Sequence, residues 1–161
     1  MFQLLILAAV AASAGTVPAV GGLEGCWKAP GQVLGRDATS LARGEWHLGG
    51  RYFLLHLRSV AEKNPYEASL VYGAGDKPDS ISGYWMDTFG GAYSTPGTGA
   101  VTSDGFNVVY TYPDSVYTNR FTRVGKGWRW TIMEKAAGKP EKLFGEYNLA
   151  PASCRGMKFG F

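Results

Sequence analysis

From Leu23 onward the chain alternates short β-branched and aromatic runs with clusters of Gly, Asp, Pro and Asn. Apolar and polar positions that swap at every residue describe a half-buried strand, and Gly, Pro and Asn clusters mark the turns between strands. The pattern predicts strands over Glu24–Ala29, Thr39–Leu48, Arg51–Ser59, Tyr66–Tyr72, Ile81–Asp87, Thr98–Thr102, Phe106–Tyr112, Val116–Val124, Trp128–Lys135 and Lys142–Leu149. Turn signals fall at Gly49-Gly50, 73–78, Gly90-Gly91, 103–105, 113–115 and 125–127. No sustained helical period follows Gly22, although Pro30–Ala42 leaves room for a short helix. About ten antiparallel strands in up-and-down order predict an all-β, closed antiparallel β-barrel, which leaves no sheet edge exposed. A two-sheet sandwich is the alternative.

The Gly49-Gly50 pair is the strongest local signal, because a two-residue primed turn needs positive φ and Gly supplies it cheaply. Such a loop sets Leu48 against Arg51, His47 against Tyr52 and Trp46 against Phe53. Strict alternation then places Ala42, Gly44, Trp46, Leu48, Phe53, Leu55 and Leu57 on the core face. Arg43, Glu45, His47, Tyr52, Leu54, His56 and Arg58 fall on the wet face. The only two histidines of the chain, His47 and His56, therefore project outward and exposed. On this register no inward His is available as an axial ligand for haem, and Ser-His-Asp or Cys-His catalysis would have to work from an outer wall without a cleft. No cofactor and no metal site is expected.

The 161 residues are one domain's length. With 14% aromatic and 18% charged residues the composition excludes disorder. A dispersed net charge of +3 argues against nucleic acid as a partner. Met1–Ala14 is an apolar run that fits the core of a signal peptide, and it is shorter than the ~20 residues that span a bilayer. Small-x-small sites end at Ala14 and Ala19, although no Lys or Arg precedes the run. The expected organisation is a signal peptide over 1–19, a single barrel over 23–152 and a C-terminal tail over 153–161. The expected location is periplasmic or secreted, and the expected state is a monomer that does not cross a membrane. A buried N-terminal helix, an uncleaved anchor and lipidation at Cys26 are the alternatives. Cys26 and Cys154 sit at the two ends of the barrel sequence, and closure would bring those ends together. An exported chain with an even cysteine count favours a disulfide between them, the alternative being two separate thiols.

Four pieces stand in a familiar order: residues 22–27 (Gly-Leu-Glu-Gly-Cys-Trp), 48–53 (Leu-Gly-Gly-Arg-Tyr-Phe), 84–87 (Tyr-Trp-Met-Asp) and a Gly-rich strand pair around Gly97–Gly105. From Leu23 to Ala152 the chain resembles the exported bacterial domain of unknown function 1579, a calycin-like family related in fold to the lipocalins. The family's Gly-Tyr-Asp segment is reduced here to residues 71–76. The resemblance implies a calycin-like barrel with Trp27 as a structural residue of the first strand. It implies ligand binding only by analogy, because fold does not settle function.

Inward-pointing polar groups among apolar walls would mark a cavity. Alternation groups Ile81, Gly83, Trp85 and Asp87; Phe106, Val108, Tyr110 and Tyr112; Val116, Thr118, Arg120, Thr122 and Val124; and Trp128, Trp130, Ile132 and Glu134. All four faces are expected to point inward. In the resulting ligand site, Arg120 with Tyr110 orients a carboxylate or other polar head, since the planar guanidinium holds a carboxylate bidentately. Trp85, Trp130, Phe53 and Leu55 hold an apolar tail. The structural alternative pairs Arg120 with Asp87 or Glu134, or stacks it on Trp27 as calycins do. The expected function is non-catalytic binding of a small apolar or amphipathic molecule inside the barrel. Two other readings stand beside it. One is a filled barrel that acts as an interaction module through Tyr52, Tyr66 and Tyr93 near its turns; the other is a hydrolase using Asp87 and Glu134 as acid and base.

Overall fold

The alternating pattern is realised as a closed ring of antiparallel strands in the computed structural model, which describes residues 16–60 and 63–159. The strands are β1 (Gly25–Val33), β2 (Arg36–His47), β3 (Tyr52–Ser59), β4 (Glu67–Ala74), β5 (Ser80–Asp87), β6 (Thr95–Thr102), β7 (Gly105–Thr111), β8 (Ser115–Val124), β9 (Gly127–Ala136) and β10 (Lys142–Ala152). Each strand pairs with its sequence neighbour, and β1 closes the ring on β10 with Trp27 opposite Pro151. The barrel is thus of the up-and-down kind, and the sandwich alternative is set aside. Residues 30–42 form no helix: they continue β1 and open β2 through a tight turn at Leu34 and Gly35.

The β2–β3 register is the expected one, with His47 opposite Tyr52 and Trp46 opposite Phe53. The turn is wider than expected. Residues 48–51 form a four-residue loop in which the Gly50 and Arg51 amides donate to the His47 carbonyl. Leu48 is therefore not a core residue; it is 75% exposed at the loop tip, with φ at +50°.

The turns at 48–51, 75–79, 103–104 and 125–126 lie at one end of the barrel, where β1 begins and β10 ends. A short helix α1 (Pro18–Gly21) plugs this end with buried Val20, assisted by buried Val17 and Leu23. Two indoles hold the plug: Trp27 Nε1 donates to the Leu23 carbonyl (2.8 Å) and Trp128 Nε1 to the Gly22 carbonyl (3.0 Å). The Arg123 guanidinium covers the Trp128 ring at 4.3 Å. The arginine stacked on a tryptophan is therefore Arg123 over Trp128, not Arg120 over Trp27. The predicted signal peptide lies mostly in residues 1–15, outside the described residues.

Beyond β10 the chain turns across the outer wall. Cys154 forms a disulfide with Cys26 on the outward side of β1. Farther on, the Lys158 carbonyl accepts from Arg58 Nη1 (2.9 Å), and the Phe159 ring lies 6.3 Å from that of His56 on β3. Residues 153–159 thus form a strap over the outward faces of β1 to β3. His56 does point outward, but it is only 6% exposed, because the strap covers it and Ser69 Oγ sits 2.9 Å from its Nδ1. The expectation that both histidines are exposed fails for His56 and holds for His47.

Two outcomes follow for this strap. The disulfide closes a separation of 128 residues, worth about 4–5 kcal/mol in the chain-entropy model. Replacing both cysteines by alanine is expected to lower unfolding free energy by about 2–5 kcal/mol, read from urea denaturation with an unchanged barrel circular-dichroism spectrum. Burial holds the His56 imidazole below its ordinary value of 6.5, against an opposing pull from Glu45 and Glu67 and with repulsion from His47 and Arg43. The unfolded chain therefore takes up a proton that the folded one resists, and stability falls as pH drops below about 6.5. Thermal melts across that range should show a shallower acid loss for His56→Gln than for the native protein; parallel losses would show that another group governs the pH dependence.

Candidate functional site

The inner faces of β3, β4, β7, β8 and β9 converge on a packed aromatic core. Phe106 stacks on Phe121 at 4.7 Å and Phe121 stacks on Trp130 at 5.0 Å, with interplanar angles of 13° and 15°. Tyr72 meets Phe106 edge-on at 5.5 Å, and Trp46 meets Phe53 at 5.2 Å. Phe53, Leu55, Leu70, Phe106, Val108, Phe121 and Trp130 have no accessible surface. A void wide enough for water would give its lining residues such surface, so this part of the barrel is solid. Tyr110 packs against the backbone of β6, and a methyl group added at Gly97 would stand 2.6 Å from its Cε1. That close approach explains why glycine sits there.

Of the predicted ligand residues, Phe53, Leu55, Tyr110 and Trp130 are inward as expected but belong to this packed core. Trp85, Asp87 and Glu134 are inward and half-buried toward the other end of the barrel. Arg120 is not inward. It is exposed on the outer wall between Asn107 of β7 and Thr131 of β9, so it can neither act with Tyr110 nor pair with Asp87 or Glu134 inside. The whole face of β8 is inverted relative to expectation: Tyr117, Asn119 and Phe121 point inward, while Val116, Thr118, Arg120 and Thr122 point out. The physical reason is Asn119. Its amide is 1% exposed, and its Oδ1 accepts from the Trp130 indole at 2.7 Å, which offsets the cost of burying it.

The unplugged end is bounded by the connections at 34–35, 88–94, 112–114 and 137–141 and by the loop that precedes β4. Aromatic rings line it in a continuous arc. Tyr66 lies 5.7 Å from Phe89, and Phe89 lies 6.0 Å from Tyr93. The Tyr112 hydroxyl donates to the Tyr93 carbonyl (3.0 Å). Tyr112 then meets Tyr117 at 5.6 Å, and Tyr117 meets Phe144 at 5.2 Å. Phe89 and Tyr93, 68% and 57% exposed, form the outer lip. Beneath the arc, Trp85 contacts Tyr110 (5.6 Å) and Trp130 (6.2 Å), which joins the rim to the core. Of the tyrosines expected on an interaction surface, Tyr66 and Tyr93 belong to this rim, while Tyr52 stands beside the 48–51 loop at the plugged end.

The two inward carboxylates are held differently. Asp87 Oδ2 accepts from the Tyr66 hydroxyl and the Trp85 indole, both at 3.0 Å, and Oδ1 accepts from the Phe89 amide at 2.9 Å. Among the described residues no cation lies within ion-pair distance of Asp87. Glu134 instead pairs with Lys142 Nζ at 3.0 Å and accepts from the Tyr117 hydroxyl at 3.3 Å. Burial raises the Tyr66, Tyr112 and Tyr117 hydroxyls above the ordinary tyrosine value, with Asp87 adding to the first two and Glu134 to the third. These hydroxyls stay protonated and serve as donors.

Two hollows lie on the surface. One of about 190 Å³ sits between the strap and the outer wall, lined by His56, Ser69, Met86 and Phe159, and reaches Asp87 and Thr88 at the end of β5. The other, about 380 Å³, lies beside α1 against Lys77, Pro78 and Asp79. Among the described residues no group of three or more His, Cys, Asp or Glu side chains is placed to hold a metal ion.

No family model and no curated protein matches the chain. Among solved structures, the chain is similar to the crystal structure of Rv2717c from M. tuberculosis, with a TM-score of 0.63 at 14% identity over 86% of this chain and 99% of that one. At that identity the likeness concerns the barrel fold alone.

The core contains one tension that substitution can read. Among the described residues, the Tyr72 and Tyr110 hydroxyls are buried side by side, facing each other without a hydrogen bond of good geometry. Removing both as Tyr72→Phe with Tyr110→Phe is expected to leave stability unchanged or to raise it by up to about 1 kcal/mol, because only a poorly aligned contact is lost and both of its polar groups leave an apolar interior together. A loss of about 2 kcal/mol or more in denaturant unfolding would mean that the pair is bonded in solution.

Proposed function

We propose that the protein is a non-catalytic binding module that works outside the cytoplasm and receives a small apolar or amphipathic molecule at the unplugged end of its barrel, not within it. The aromatic arc from Tyr66 to Phe144 carries this reading: it is an arc of partly exposed apolar surface over the half-buried Trp85. Aromatic surface grouped around a few polar groups is the usual chemistry of a small-molecule site. The packed core supports placing the ligand on the rim, because Phe53, Leu55 and Trp130 leave no space beside them. The upward displacement of the rim tyrosines favours binding over proton transfer, since a tyrosinate base needs the opposite shift. Export is supported by the disulfide, which oxidising compartments favour. Among the described residues no helix is long and apolar enough to cross a membrane. The resemblance to the exported domain of unknown function 1579 belongs to the same reading and adds no activity to it.

The filled interior equally suits an interaction module, and one experiment separates the two. Isotope-labelled protein is titrated with octyl glucoside, a neutral amphiphile, below its critical micelle concentration. Saturable amide shifts at Trp85, Phe89, Tyr93, Tyr112, Tyr117 and Phe144, with Phe53, Leu55 and Phe106 unmoved, are the expected result. Shifts centred on the core residues would place the ligand inside the barrel, and shifts nowhere at the rim would favour the interaction module.

A further inference from the structure

We infer that the rim selects an organic monocation, an ammonium group bearing methyl or alkyl substituents, with Asp87 as its counter-charge. The inference rests on the rim as the binding site and adds the chemical class of the ligand. Asp87 projects inward beneath the arc beside Trp85, Tyr66 and Phe89. Three neutral donors fix both of its oxygens in place without neutralising it, and among the described residues no Lys, Arg or His does so. Carboxylate oxygens have about four acceptor positions, so Oδ1 keeps capacity beyond the Phe89 amide. Glu134, across the arc beside Tyr117, is already matched by Lys142.

The rings supply the second half of the recognition. Aromatic faces carry negative potential and attract a poorly hydrated cation within about 6 Å of the ring centre. The Tyr66 hydroxyl, the Trp85 indole N–H and the Phe89 backbone amide all donate to Asp87, which gathers these three rings around the carboxylate; Tyr112, raised first by burial and then by Asp87, lies near enough to share its field. An anionic head would meet Asp87 as repulsion, and the arginine that could have received it, Arg120, lies on the outer wall. A methylated ammonium group suits this geometry better than a primary amine. It loses little hydration on entry, and it needs none of the directed hydrogen bonds that a primary amine would have to regain after leaving water.

The test uses the full mature protein and follows the Trp85 indole N–H resonance, whose proton is donated to Asp87. Choline is compared with its neutral carbon isostere, which has a tert-butyl group where choline has trimethylammonium. Choline is expected to bind roughly tenfold tighter than the isostere. Asp87→Asn, which keeps an oxygen acceptor for Tyr66 and Trp85, should abolish that preference by lowering choline affinity to that of the isostere. Tyr112→Leu, at the half-exposed rim, provides a second variant in case Asp87→Asn does not fold; it should weaken choline binding several-fold. Sedimentation with phosphatidylcholine vesicles distinguishes sources: co-sedimentation lost on Asp87→Asn identifies a lipid headgroup, and its absence alongside choline binding identifies a free cation. Equal affinity for choline and isostere, or choline affinity unchanged in Asp87→Asn, overturns the inference. If octyl glucoside still binds the rim in that case, only the ligand class falls; if no probe binds there, the rim reading falls with it.

Discussion

The stack of Phe106, Phe121 and Trp130 governs what the rest of the molecule is able to do. Rings spaced at 4.7 and 5.0 Å lie side by side on the neighbouring strands β7, β8 and β9, and with the fully buried Phe53, Leu55 and Leu70 of β3 and β4 they leave no room inside this part of the barrel. Each such ring contributes a few kcal/mol of burial, so emptying the interior for a ligand would cost more than a small molecule returns. The stack also needs a specific polar neighbour. Trp130 lies across the line of Asn119, and its indole proton would be stranded without that amide. From this one arrangement follow the inverted face of β8 and the displacement of Arg120 to the outside.

Much of the architecture was legible in the sequence, and the failures have identifiable causes. The faces of β5, β7 and β9 are readable because their alternate positions are aromatic or apolar, broken only by the carboxylates toward the ends of β5 and β9. The face of β8 is not. Its outward set contains Val116, Thr118 and Thr122, β-branched residues that fit a pleated surface on either side, while its inward set contains an asparagine. A local pattern has no means of registering that Trp130, eleven residues away, accepts this asparagine as a partner. The β2–β3 register survived a wrong loop length because pairing is fixed by Trp46 against Phe53 more than by the turn.

Burial by distant chain was the other blind spot. His56 faces the side that alternation assigned to it, yet the strap covers it from more than a hundred positions away, as the bond between Arg58 and Lys158 marks. The rim was only partly visible for a related reason. Trp85, Asp87 and Glu134 are legible from the alternation of their strands, and Tyr66 and Tyr93 from the turns beside them. Phe89, Tyr117 and Phe144 are not, because their grouping depends on how separate connections and strand ends meet at one mouth. The site is a property of closure, and closure is not a local quantity.

That closure has a topological consequence. β1 and β10 are hydrogen-bonded neighbours, and a disulfide ties Cys26, paired with Ala152, to Cys154 two residues past the end of β10. The chain is thereby a covalent loop through every strand of the barrel, with no privileged starting point around its circumference. A single protease cut in an exposed connection, such as that at 103–104, would leave two fragments still threaded into one sheet and tied at the opposite side of the ring. Such a molecule holds both pieces together after a first nick.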